Sequence, residues 1–387
     1  MILRVGLVRI ACFLIALSAG ASTNASAENL RSSFMPLPIG LAVDSASQLP
    51  DRAMRMISDK YPFAGLAAYY NDVNFYIADK DQIARALPQH EYVLNDNQYF
   101  IARGRFKSFS LACPGATVRI FENKFELAFS DCGENQNAHI VTNSSLDELS
   151  PELGAIRYIH LGFLGGLAEL IEWSLVSLHE TGIGSWGATV IVFAVVWKVL
   201  LIPLGVLTVR AQARVSQVNA ELAPILENIK QNHDGEQAHN KIMAAHKSLG
   251  VSAFYTLRPL ATSLIQVPIL VAIFNVLGAM PHFDGASFFW ISNLAYPDSI
   301  GVLSSSIPFI GNKVSLLPLI MTAVTVFSAI IFQNPYASAR EIRSLRRNLY
   351  LMAGAFLILF YPFPAVMVLY WTSANISQAI QQQFIKS

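Results

Sequence analysis

From Trp186 to Leu207 the chain carries a single charged residue, Lys198, and four further stretches of the last 130 residues carry none: 260–280, 314–332, 349–361 and 365–384. Runs of this kind constrain a fold more than any other feature. Hydrocarbon offers no partner to a backbone N–H or C=O, so a run of about 20 apolar residues crosses a bilayer as a helix that satisfies its own polar groups. Composition agrees. Of 387 residues 53% are hydrophobic and 14% charged, where a soluble domain carries about 25% charged residues. The formal net charge of +1 argues neither for nor against nucleic acid. The expected fold class is an α-helical polytopic membrane protein with five spans. The fourth and fifth are separated by Pro362-Phe363-Pro364, whose two prolines favour a tight turn.

Residues 1–27 read as a secretory signal: Arg4 and Arg9, an apolar run from Ile10 to Ala21, then Ala25-Ser26-Ala27. An uncleaved amino-terminal anchor is the alternative, and either one sends residue 28 outward. Residues 28–150 are polar enough for a soluble unit and rich in Tyr and Phe. "EYVLNDNQYFIARGRF" (91–106) looks like two strands around a turn at Asn95-Asp96-Asn97, and "ATVRIFENKFELAFS" (116–130) repeats the form. Around Asp51 to Ile83 the mixed pattern leaves room for a helix. The expectation is a small β-rich exported domain. Cys113 and Cys132 fall in it, and a disulfide between them suits an oxidising compartment, with two buried free thiols as the alternative. His90 and His139 stand alone, and neither a metal-ligand spacing nor a nucleophile–base pair is visible, so neither an enzyme nor a metal or other cofactor is expected.

Residues 156–180 place Leu164, Leu167, Leu170, Ile171, Leu175 and Leu178 at helical spacing, interrupted by Glu169 and Glu172. This fits an amphipathic helix in the membrane interface. Two carboxylates at mid-depth make a true span the weaker reading. Positive charge sets the orientation. Arg210, Arg214, Lys230, Lys241, Lys247 and Arg258 lie between the first two spans, and Arg340, Arg343, Arg346 and Arg347 between the third and fourth. The connection 281–312 has no Lys or Arg. Residues 28–185 therefore face out and the carboxyl terminus faces the cytoplasm. The first cytoplasmic loop carries Val215, Val218, Leu222, Ile225 and Ile229 at helical spacing, then a turn at His233-Asp234-Gly235 and a second helical stretch. The expectation is a helical hairpin over 209–250, either spacer or docking surface.

Lys198 lies twelve residues past Trp186 and nine before Leu207, close to mid-depth on the cytoplasmic side. A lysine at the centre of a span costs about 2.5–3.5 kcal/mol or more. Either its stem snorkels to the cytoplasmic headgroups or its ammonium faces a wet internal cavity. Gln266, Asn275, Thr322, Thr325, Ser373 and Asn375 supply polar groups within the spans for such a cavity. Helix–helix packing is the alternative for each singly. No Asp or Glu lies in the five spans to pair with Lys198, which leaves room for a transient anionic or polar partner.

Residues from about 156 to 384 resemble the YidC/Oxa/Alb family of membrane protein insertases. "GSWGATVIVFAVVWKVLLIPL" (184–204) is similar to the family's first core span, with a Trp-Gly entry, an interior basic residue and a Pro-Leu exit. "LAPILENIK" (222–230), with Pro224, resembles the cytoplasmic hairpin. "LRPLATSLIQVPILVAIFNVL" (257–277) resembles the next span, and "FPAVMVLYWTSANISQAIQQQFI" (363–385) the last. The resemblance implies a five-helix core, 185–384, around a hydrophilic groove lined by Lys198, Gln266, Asn275, Thr322, Thr325, Trp371, Ser373 and Asn375. It also implies a cytoplasmic docking surface including Arg210, Arg214, Pro224, Lys230, Lys241 and Lys247. The implied function is insertion and folding of nascent membrane proteins in the bacterial inner membrane without nucleotide hydrolysis, with the ribosome and the Sec translocon as further partners. Departures from the family pattern are Lys198 for arginine, Ala194 for a hydroxyl residue, Trp371 for an aromatic that is often tyrosine, and a shorter exported domain. Only three residues follow Phe384, so a long basic ribosome-binding tail is not expected. The alternative function is a secondary transporter or channel with Lys198 as its intramembrane site. Matched internal repeats would favour it, and none is apparent.

Overall fold

The computed structural model describes residues 35–36, 49–128, 137–248, 250, 264, 266–307, 311–331 and 339–385. The signal or anchor at 1–27, Cys132, Arg258 and the start of the expected second span lie outside the described residues.

The amino-terminal domain begins with β1 (Met35–Pro36), α1 (Leu49–Ile57) and α2 (Ala64–Tyr70). Seven of its strands follow: β2 (Asn74–Ala78), β3 (Ile83–Arg85), β4 (Glu91–Val93), β5 (Tyr99–Arg103), β6 (Lys107–Ala112), β7 (Thr117–Ile120) and β8 (Phe125–Ala128). β9 (Asn137–Thr142) closes a six-stranded antiparallel sheet of order β1-β9-β6-β5-β2-β3, and β4-β7-β8 form a second sheet. Alternation of buried and exposed residues along β7 and β8 gives each one core-facing row. Phe75, Phe100, Phe109 and Phe125 meet between the sheets, with Phe100 and Phe125 centroids 4.9 Å apart, and α1 covers them with Leu49, Ala53 and Ile57. Cys113 is disulfide-bonded.

The second expected strand pair, β7 with β8, forms as an antiparallel hairpin. The first pair does not pair with itself. The turn is present, with Asn97 at φ 67 and Gln98 N donating to Asn95 O, but β4 joins β7 while β5 lies between β2 and β6. Four of the five residues of β5 are buried, and only a central position buries both faces of a strand.

After α3 (Leu146–Leu149), two 3-10 segments lead to α4 (Gly165–Glu180). Glu172 does not interrupt this helix as a surface charge. It is buried, accepts from Tyr158 Oη at 3.0 Å and lies 3.5 Å from Arg157 Nη1. With one carboxylate turned inward, Leu170 and Trp173 are left exposed on the outer side. Among the described residues the stretch Ile159–Glu180 is the one long and apolar enough to cross a membrane by length and composition.

The remaining helices are α5 (Trp186–Leu200), α6 (Ile202–Asn232), α7 (Gly235–Ser248), α8 (Gln266–Ala279), α9 (Leu317–Ile331), α10 (Ala339–Phe360) and α11 (Ala365–Ile385). α11 packs against α5, α8 and α9, while α4 covers α8 and α5. The helix expected over 186–207 breaks at Leu201, because Pro203 in the first turn of α6 has no N–H to extend the ladder. α6 and α7 form the expected hairpin, closed by Leu222 and Ala245 with Val215, Val218, Leu226 and Ile229. α10 starts early enough that Arg340, Arg343, Arg346 and Arg347 belong to a helix and not to a loop. The connection between α8 and α9 holds a strand pair, β10 (Gly301–Ile307) and β11 (Gly311–Val314).

Candidate functional site

Helix α5 starts from Ser185, whose hydroxyl accepts from Ala188 N, and Gly187 brings its first turn against Phe288. A Cβ on Gly187 would lie 2.2 Å from that ring. Because α5 ends at Leu200, Lys198 falls in its last turn instead of the middle of a longer span. Carbonyls at a helix C-terminus favour a cation, so the break at Leu201 gives Lys198 part of its stabilisation.

The ammonium reaches across to α11. Lys198 Nζ donates to Gln378 Oε1 at 3.1 Å, in an exposed setting. Among the described residues it forms no ion pair. One turn away on the same helix, Asn375 Nδ2 donates to Thr325 Oγ1 of α9 at 3.0 Å. α11 thus extends one amide toward α5 and another toward α9. Beside Lys198, the Trp197 indole N–H is buried without a hydrogen-bond partner among the described residues, while its ring stacks on Phe193 at 5.5 Å.

The other expected groove residues are placed differently. Thr322 and Ser373 hydroxyls donate to Pro318 O and Leu369 O of their own helices, which satisfies them within the helix. Gln266 is exposed at the first residue of α8. Asn275 is directed to the amino-terminal domain: its Oδ1 accepts from Tyr69 Oη at 2.7 Å and meets His160 Nε2 at 3.2 Å. Burial pushes the Tyr69 phenol up, so it serves as a neutral donor. Trp371 packs among Phe274, Phe356 and Phe360, stacked on Phe274 at 5.9 Å. Gln378 was visible in the sequence as one of several polar residues near the end of the last apolar run. Its role required knowing which residue of α5 stands opposite.

On the hairpin, Arg210, Arg214, Lys241 and Lys247 are exposed, and Lys241 Nζ lies 2.6 Å from His233 Nε2. Pro224 is exposed within α6, and Lys230 lies in the last turn of that helix. Arg210, Arg214, Lys241 and Lys247 occupy two antiparallel helices and present a basic surface, with no carboxylate within ion-pair distance of them among the described residues.

Comparison with known proteins places this geometry in context. The family described as "60Kd inner membrane protein" matches residues 178–387. The membrane protein insertase YidC of Chlamydia trachomatis is 33% identical over 207 residues, covering 51% of this chain and 25% of that protein. The protein of the same name from Treponema denticola is 24% identical over 344 residues, covering 87% of this chain and 56% of that one. The one from Clostridium perfringens is 26% identical over 222 residues, covering 56% of this chain and 85% of its own length. The match with the chlamydial protein thus spans a quarter of that protein's length.

Proposed function

Since the chain belongs to the YidC/Oxa family of inner membrane proteins, we propose that it inserts nascent membrane proteins into the inner membrane and assists their folding. The observation that carries the reading is Lys198: a cation among apolar helices, held by one neutral amide and paired with no carboxylate among the described residues. Gln378 holds the ammonium toward α11 without neutralising it. An acidic or polar segment of a client then finds a positive charge within the membrane region, where desolvation alone would otherwise oppose its entry. Attraction of this kind needs no nucleotide.

In this reading α5, α8, α9, α10 and α11 are the five spans, residues 28–185 lie outside and the carboxyl terminus faces the cytoplasm. α4 rests at the outer interface with Leu170 and Trp173 toward lipid. The absence of Lys and Arg from 281–312, set against the basic residues of α6, α7 and α10, supports that orientation. Thr325 and Asn375 join Lys198 and Gln378 at the groove. The exposed cations of α6 and α7 form a docking surface for the client or for the ribosome and Sec components that deliver it.

The test is complementation of insertase-depleted cells, read with single-span clients whose translocated tails differ in acidity. Lys198→Glu is expected to impair clients with acidic tails while Lys198→Arg preserves them. Full complementation by both Lys198→Ala and Lys198→Glu would remove the groove role.

A further inference from the structure

A buried cation with several partners lies far from Lys198, where the exported domain meets the helices. Arg105 is buried in the turn between β5 and β6. Gly104 sets that turn against the end of α1, since a Cβ there would lie 2.0 Å from Ile57 O. Asn143 holds the turn from the other side, its Nδ2 donating to Gly104 O at 3.0 Å and Arg105 O at 2.8 Å. From this mount the guanidinium leaves its own domain. Nη1 pairs with Asp59 Oδ2 at 2.7 Å, Nε donates to Gly278 O at 2.7 Å, and Nη2 donates to Ala295 O at 2.8 Å. Gly278 is in the last turn of α8, and Ala295 lies in the connection that follows.

Aromatic side chains enclose these bonds. The guanidinium carbon lies 3.9 Å from the Tyr70 ring centroid, 4.4 Å from Phe106, 5.2 Å from Tyr61 and 5.5 Å from Tyr296. Tyr296 Oη donates to Asp59 Oδ1. Tyr61 Oη donates to Pro362 O, in the turn between α10 and α11, at 2.6 Å. Burial pushes the Tyr61, Tyr70 and Tyr296 phenols above their ordinary range, so all three stay neutral. The same connection also serves α11: Ala365 N and Val366 N donate to Tyr296 O and Leu294 O, satisfying N–H groups that a helix start leaves open.

We propose that Arg105 is a positioning residue for the insertase core, clamping the exported domain onto the outer ends of α8 and α11 and so fixing the spacing of the helices around Lys198. The proposal rests on the insertase reading. The guanidinium fork satisfies a carboxylate and two carbonyls from three separate segments, which a point charge on a flexible stem cannot do. Because α11 carries Gln378, an outer end free to shift would alter the distance between Gln378 and Lys198.

The experiment uses the full chain in liposomes. Spin labels at Val93 and Ile300, both exposed, report the separation of the exported domain from the outer connection, and insertion of a single-span client is measured in parallel. Arg105→Ala removes the clamp from the exported side. Gly278→Ala loosens it from the membrane side, because its Cβ would lie 2.7 Å from Met367 Cε of α11 and 3.0 Å from Tyr70 Oη across the junction. Both are expected to broaden the separation and slow insertion on the order of tenfold, with Arg105→Lys between them and wild type. Unchanged separation in both variants overturns the clamp. Broadened separation with wild-type insertion overturns the positioning role. If wild-type protein inserts no client, the insertase reading fails instead, and the label separation still decides whether the clamp exists.

Discussion

Arg105 and Lys198 are both cations among apolar side chains, and they reach opposite states. Where the amino-terminal domain meets α8, Arg105 is buried with a carboxylate, two carbonyls and four aromatic rings around it. In the last turn of α5, Lys198 is partly exposed and held by one neutral amide. A saturated cation has little interaction left to offer a new partner, so it serves to hold segments together. An unsaturated one keeps most of its field available to whatever arrives. Under the proposed function, the contrast separates the part of the molecule that fixes geometry from the part that would meet a client.

Three substitutions sharpen or break that contrast. The largest effect is expected from Asp59→Ala, which leaves the Arg105 charge buried without its counter-ion. Breaking a buried pair in this way costs about 3–5 kcal/mol, read as a lowered unfolding midpoint of the protein in detergent. A midpoint unchanged from wild type would place Arg105 among ordinary surface charges. Tyr61→Phe is next. It deletes the hydroxyl that joins the amino-terminal domain to Pro362 O and is expected to cost about 1 kcal/mol in the same unfolding measurement. The smallest effect on stability belongs to Lys198→Ala, within about 0.5 kcal/mol, since a single exposed bond to Gln378 is lost. A strongly destabilised Lys198→Ala protein would show that Lys198, like Arg105, holds the fold together.

Much of the inner site could be read before any tertiary information. Lys198 stands out because its neighbours in sequence are apolar, and the basic hairpin because its heptad-like spacing and charges are local. The hairpin β7–β8 is legible for the same reason, its two strands being separated by four residues. The break at Leu201 was not read from the sequence, because the apolar run continues through Pro203, which marks it. Arg105 gave no such signal. It sits in a polar stretch between strands, and its partners Asp59, Gly278 and Ala295 are 46, 173 and 190 residues away. Asn275 and Trp371 lie in apolar runs as expected for groove residues, yet the fold directs them to Tyr69 and to an aromatic cluster.

The sequence by itself determined which apolar and amphipathic segments become helices and where a cation sits among apolar residues, because periodicity, proline and charge act over a few neighbouring positions. Only the tertiary structure decided which cation is satisfied. Hydrogen-bond saturation depends on groups that distant segments bring within about 3 Å, and a burial that is costly for one charge becomes stabilising for another when those groups arrive.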